Sequence, residues 1–213
     1  RRHFEHSIAI YERLKCEDGL AINLGNLGVV LQHLGESESA LDVHRKAMKL
    51  DEKLGRKDRV GVHLGNIGCV LALRGDIAGA EEHHRKAMAV AEELGQERQV
   101  ACHCGNLSRL LLLQGKLDQA ESLLKNAISI AQRFNDFHDL GTYYGNLSAI
   151  LIKRRDLDGV ISALRQAIDL DARIGRLECV ARHCGNAGFV LITLEKFDEA
   201  EEMLRRAEAI NAQ

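Results

Sequence analysis

His63, His103 and His183 occupy matching places in the chain, and Cys102, Cys104 and Cys184 stand beside the last two. Imidazole and thiolate are the usual ligands of zinc, so the first question is whether these groups can close on one ion. Equivalent residues on neighbouring helices lie about 10 Å apart, whereas zinc holds its ligands within about 2.3 Å. Cys102 and Cys104, two apart on a helix, point to different faces. No metal site and no cofactor is expected. His44 and the pair His83-His84 are read as second-helix residues in which imidazole replaces a packing aromatic ring. No nucleophile motif, phosphate loop or paired-carboxylate arrangement stands out, and Glu81-Glu82 and Glu201-Glu202 read as solvated helix faces. No enzyme is expected.

Amide chemistry is another matter. Gly25-Asn26 returns as Gly65-Asn66, Gly105-Asn106, Gly145-Asn146 and Gly185-Asn186, always 40 residues on. Glycine costs roughly 1 kcal/mol against alanine inside a helix, and asparagine is also a weak helix former. Something must compensate. An asparagine side chain offers one acceptor and two donors, which match the N–H and C=O of a peptide unit. Repeated at a fixed step, such amides form a ladder suited to holding an extended backbone of any sequence. The glycines have two readings, close packing between first helices or room for a ligand's main chain.

The elements that carry these residues follow from the period. Alignment on Gly-Asn gives units 17–56, 57–96, 97–136, 137–176 and 177–213, with residues 1–16 matching the second half of a truncated unit; residues 1–213 form a single array. Each unit holds two helical stretches. Val62, Ile67, Val70 and Leu71 stand at helical spacing. Gly35, Gly55, Gly75, Gly95, Gly115 and Gly175 supply stop signals. Asp118, Asp158 and Asp198 fall where a cap or first-turn acid supports the second helix. Small residues recur at fixed offsets, as in Gly28/Gly68/Ser108/Ser148/Gly188, Ala40/Ala80/Ala120/Val160/Ala200 and the row from Ala47 to Ala207. One helix pair cannot bury its apolar face alone, so stacked neighbours complete the core.

Leu24, Leu27-Gly28, Leu31, Gly35, Ala40 and Ala47 stand at the spacings of the tetratricopeptide repeat, which the whole chain resembles. The unit is 40 residues instead of about 34, and proline is absent throughout. The longer form is similar to LGN/Pins adaptors, kinesin light chains and bacterial tetratricopeptide arrays. The Leu-Gly-Asn of LGN/Pins falls one turn later, at Leu27-Gly28-Val29 here, so that family's partners are not carried over. The resemblance implies an all-α, right-handed α-solenoid whose first helices line a concave groove. It places Asn26, Asn66, Asn106, Asn146 and Asn186 there, as in peptide-holding Asn ladders of the family. With rungs about 10 Å apart, five rungs engage about twelve residues of extended chain. Ile22, Val62, Cys102, Thr142, Val29, Cys69, Ala149, Phe189, the aligned column Gln32, Ala72, Leu112, Ile152 and Ile192, and Leu73 and Leu113 read either as groove walls or as core. Arg109, Lys153 and Arg182 form a cationic end able to meet an acidic residue or a chain terminus. The chaperone-tail clamp is not expected, because Ile22 and Cys102 stand where it needs Lys.

Composition sets the remaining bounds. Lys and Arg number 29 against 31 Asp and Glu, for a net charge of -2, so the basic footprint of a nucleic-acid binder is missing. No apolar run approaches the roughly 20 residues of a membrane span. The six cysteines do not follow the period, and they read as reduced thiols of a cytoplasmic protein. A chain opening on Arg1 in mid-repeat reads as part of a longer protein. The expected function is a protein-interaction module that binds a peptide or extended partner segment with apolar side chains, as a monomer or weak homo-oligomer. The alternatives are a regulatory domain of a larger signalling protein or a self-assembling scaffold.

Overall fold

The computed structural model describes residues 1–212, and the regular elements among them are all helices. They are α1 (Arg2–Arg13), α2 (Glu17–His33), α3 (Ser37–Lys53), α4 (Lys57–Leu73), α5 (Ile77–Glu93), α6 (Glu97–Leu113), α7 (Leu117–Arg133), α8 (Phe137–Arg154), α9 (Leu157–Arg173), α10 (Leu177–Thr193) and α11 (Phe197–Asn211). The chain is an all-α solenoid of tandem helix pairs. First helices begin at Glu17, Lys57, Glu97, Phe137 and Leu177.

The backbone repeats at half the sequence period. A left-handed residue closes each helix from α1 to α10, at positions 15, 35, 55 and so on every 20 residues to 195. Six of these are glycine, and the others are Lys15, Asn135, Arg155 and Glu195. At Gly75 the local logic is plain. Its N–H donates to the Ala72 carbonyl at 3.1 Å, and the Asp76 N–H donates to Leu71 at 3.0 Å. The last carbonyls of α4 are thereby satisfied and the chain reverses. Three aspartates then open the next helix, since Asp76, Asp136 and Asp156 accept the N–H of Gly79, Asp139 and Gly159. Asp118, Asp158 and Asp198 lie inside the first turn instead, where a carboxylate meets the positive end of the helix dipole.

Two compact units make up the chain, Arg1–His103 and the part from Cys104 onward, and their boundary falls within α6. In the first, α1 to α4 each pack on the following helix, and α2 also touches α4. In the second, α7 to α10 each pack on their successor. Small residues allow the close approach: Ala40, Ala80, Ala120 and Val160 are fully buried, as are Ala47, Ala87, Ala127 and Ala167. Around them Leu41, Ile67, Leu107, Leu124 and Leu164 are sealed from water, each contributing about 1.5–3 kcal/mol of burial. Among the described residues, no helix is long and apolar enough to cross a membrane.

Candidate peptide-binding face

Each first helix leaves one stripe open, at four positions spaced i, i+4, i+7 and i+11. In α2 these are Ile22, Asn26, Val29 and His33, and in α4 they are Val62, Asn66, Cys69 and Leu73. The stripe of α6 runs through Cys102, Asn106, Arg109 and Leu113. Thr142, Asn146, Ala149 and Lys153 continue it on α8, and Arg182, Asn186, Phe189 and Thr193 on α10. None of these side chains is buried. Asn26 and Asn186 are exposed, while Asn66, Asn106 and Asn146 are half-buried. Arg109, Lys153 and Arg182 are exposed, and Leu73 and Leu113 keep 68% and 65% of their surface in water.

The first unit brings two of the amides to one cavity. Between α2 and α4, a recess of about 250 Å³ is lined by Ile22, Asn26, Val29, Arg59, Val62 and Asn66. In the second unit, Arg182 donates to the Cys179 sulfur at 3.5 Å. The Arg176 guanidinium approaches the same sulfur at 3.1 Å.

Just behind the stripe, the glycines of the Gly-Asn pairs are filled from the next repeat. A Cβ on Gly25 would lie 2.9 Å from Cε1 of His63, and one on Gly65 would lie 2.8 Å from Cε1 of His103. Tyr143 approaches Gly105 to 2.5 Å and His183 approaches Gly145 to 2.6 Å by the same measure. Gly185 has nothing within 4 Å. At four of the five positions, then, the space belongs to an imidazole or phenol ring: of the two readings of these glycines, close packing between first helices is the one seen, and room for a ligand's main chain is not. A second row works within the repeat. Gly28 and Gly68 accept His44 and His84, and Gly188 accepts Leu204.

Sequence reasoning missed the acids behind these histidines. Asp51 is fully buried, with His63 Nε2 at 3.0 Å and an Arg56 guanidinium nitrogen at 3.8 Å. Asp171 repeats the arrangement, with His183 Nε2 at 3.3 Å and Arg176 at 3.1 Å. The available signal was the coincidence of Asp with His twelve residues on in these two repeats, where Ala91 and Ala131 stand elsewhere. Burial makes a charged imidazole costly, so His44 has its pKa pushed down to about 4, with nearby His63 adding to the effect. Burial also lowers His63, outweighing the upward pull of Asp51. His103 is lowered by burial alone. His183 is lowered by burial and then by Arg182, against the pull of Asp171. These are packing histidines held neutral. Among the described residues, no group of three or more His, Cys, Asp or Glu side chains is placed to hold a metal ion.

Comparison with known proteins follows the same lines. A family profile described as tetratricopeptide repeat matches residues 19–93 and 99–173, and a second of the same description matches 181–213. No curated protein sequence matches the chain. Among solved structures, BtubC (BKLC) from P. vanneervenii is 20% identical with a TM-score of 0.87, covering 99% of this chain and 89% of that one. The kinesin light chain TPR-like repeats of Podosopora anserina are 15% identical with a TM-score of 0.67, over 89% and 93%. YrrB, described as a TPR protein with an unusual peptide-binding site, is 22% identical with a TM-score of 0.57, over 96% and 92%. At these identities the likeness concerns the fold.

Proposed function

The chain belongs to the tetratricopeptide repeat family, and we propose that it is a non-enzymatic interaction module that holds an extended partner segment against the open stripes of its first helices. Repeats of this family generally mediate protein–protein interaction. The observation that carries the finer reading is the asparagine in every repeat. Each sits at a solvent-reachable place in a helix interior, where it weakens the helix. Packing accounts for the glycine beside it at four of five positions, but it does not call for an amide on the open side. A guest main chain does. Each amide bonded to a peptide N–H or C=O contributes about 1 kcal/mol net, and Leu73, Leu113 and Phe189 supply apolar surface for guest side chains. YrrB, a neighbour in fold, is described as having a peptide-binding site.

The test replaces Asn66, Asn106 and Asn146 by Ala and compares partners captured by the native and altered chains. Capture should be lost while helicity and melting temperature stay within a few degrees of native. Retained capture, or a collapse of the fold, refutes the reading.

A further inference from the structure

The open stripes carry no carboxylate. Four positions on each of five first helices hold no Asp or Glu, although 31 of the 213 residues are acidic. Second helices expose acids freely, as at Glu38, Asp42, Glu82, Glu92 and Glu201. A solvated face ordinarily mixes both signs; here the acids keep to the first turn, at the exposed Asp18, Asp58 and Glu178 one turn before the stripes, and the four positions beyond them carry none. All the Lys and Arg of the stripes lie in the second unit, as Arg109, Lys153 and Arg182. Among the described residues, neither Arg109 nor Lys153 has an ion-pair partner, whereas the adjacent Arg154 is neutralised by Asp118 and Glu121. One basic residue of that pair is committed to the fold and the other is left to solvent.

Resting on the peptide-binding reading, we propose that the stripes of the second unit recognise an acidic stretch of the partner, with side-chain carboxylates four residues apart meeting Arg109 and Lys153. The spacing follows from the helices. Gly105 against Tyr143 brings α6 and α8 together, at about 10 Å between axes. Lys153 stands one turn further along its helix than Arg109, a shift of about 5.4 Å. The two side chains therefore leave their helices about 11–12 Å apart, a span of three to four residues of extended chain. Alternation of side chains along a strand selects four. Three cations on a chain of net charge -2 make a poor surface for a polyanion, since nucleic-acid binders carry a broad basic footprint.

The experiment pans a random library of twelve-residue displayed peptides on the full chain and on Arg109→Gln/Lys153→Gln. Both positions are exposed, and thermal melts verify that the variant folds. Peptides selected on the native chain should be enriched in Asp and Glu at i, i+4 spacing. They should lose roughly tenfold in affinity for the variant, and weaken as salt is raised. Selected peptides with no acidic excess, or equal affinity for both chains, overturn the proposal. So does tight binding of a single-stranded oligo-dT probe that the double substitution abolishes, which would assign the cations to nucleic acid. Recovery of no peptide at all defeats both this proposal and the reading it rests on. Asn106→Ala/Asn146→Ala/Asn186→Ala separates the two: unchanged affinity for the acidic peptides sinks the amide ladder while leaving the charge recognition intact.

Discussion

Replacing Gly145 by Ala and, separately, Gly185 by Ala isolates what the Gly-Asn glycine does. Both lie inside a first helix next to an asparagine, so each substitution gains the same helix propensity, about 1 kcal/mol. They differ in what the new methyl meets. At Gly145 it would lie 2.6 Å from Cε1 and 3.3 Å from Nε2 of His183, and at Gly185 it meets nothing within 4 Å. His183 is only 4% exposed, and its Nε2 lies 3.3 Å from the buried Asp171, so the ring cannot retreat without disturbing that contact. Overpacking of this kind costs about 1–3 kcal/mol. Because the propensity gain cancels between the variants, their difference in stability equals this steric cost. Gly185→Ala should be as stable as the native chain or more so, and Gly145→Ala about 1–3 kcal/mol less stable than Gly185→Ala. Urea titration followed by far-ultraviolet circular dichroism measures this, with two-state behaviour verified at a second wavelength. His183→Ala then supplies the cycle: the double variant Gly145→Ala/His183→Ala should be more stable than the two single effects summed. Equal stabilities for the two alanine variants, or strict additivity in the cycle, would refute the interlocking of glycine and histidine.

The buried histidines make stability fall in acid. His44 has an unfolded pKa of about 6.5 and a folded one pushed down to about 4, so between these values the unfolded chain binds more protons. Its contribution is complete above pH 6.5 and is lost as the pH drops toward 4, amounting to about 3 kcal/mol in all, with His63, His103 and His183 acting in the same direction. Urea midpoints at pH 7.5 and pH 5 should differ accordingly, and His44→Leu should shrink the difference, since Leu124, Leu164 and Leu204 fill that place in other repeats; an unchanged pH profile counts against the assignment. Arg155 holds a left-handed φ of 61° where six other helix ends have glycine. Arg155→Gly should therefore stabilise the chain by about 1 kcal/mol and raise Tm by about 2–4 °C, and a thermal melt that falls instead would show that the Arg155 side chain matters more than its backbone.

Much of this fold was legible because the 40-residue period is printed in side chains of unmistakable type. Glycine, alanine and asparagine return at constant offsets, and that alone implied helix pairs and a stacked core. The 20-residue rhythm of the backbone was only half visible. Six left-handed turns announce themselves as glycine and Asn135 as asparagine, which also tolerates that conformation, while Lys15, Arg155 and Glu195 adopt it with no signal in their chemistry, forced by the closing hydrogen bonds on either side. The glycine row was legible as a pattern but ambiguous in cause, since a missing side chain does not say what fills its place. The answer lay 38 residues further on, in His63, His103, Tyr143 and His183, a column of rings complementary to the column of glycines. At Gly185 a Cβ would meet nothing within 4 Å, which sets this glycine apart from the four that take a ring.

That separation bears on the site. A glycine accepting a ring draws consecutive first helices together, and the asparagine next to it is carried along at the same step. The imidazole interlock therefore sets the rung spacing that a guest backbone would meet, although no histidine need touch the guest. Asp51 sharpens the coupling by holding His63 through Nε2 at 3.0 Å, while Asp171 lies 3.3 Å from His183 Nε2 without a hydrogen bond and the helix pair joined by Tyr143 has Ala131 where those aspartates stand. Spacing should accordingly be stiffest at α2–α4. A chain that replaced its buried histidines with apolar rings would keep its helices and yet present its amides at a slightly altered pitch. Affinity for an extended segment would then fall with the number of rungs it engages within a unit, because a constant error per rung accumulates.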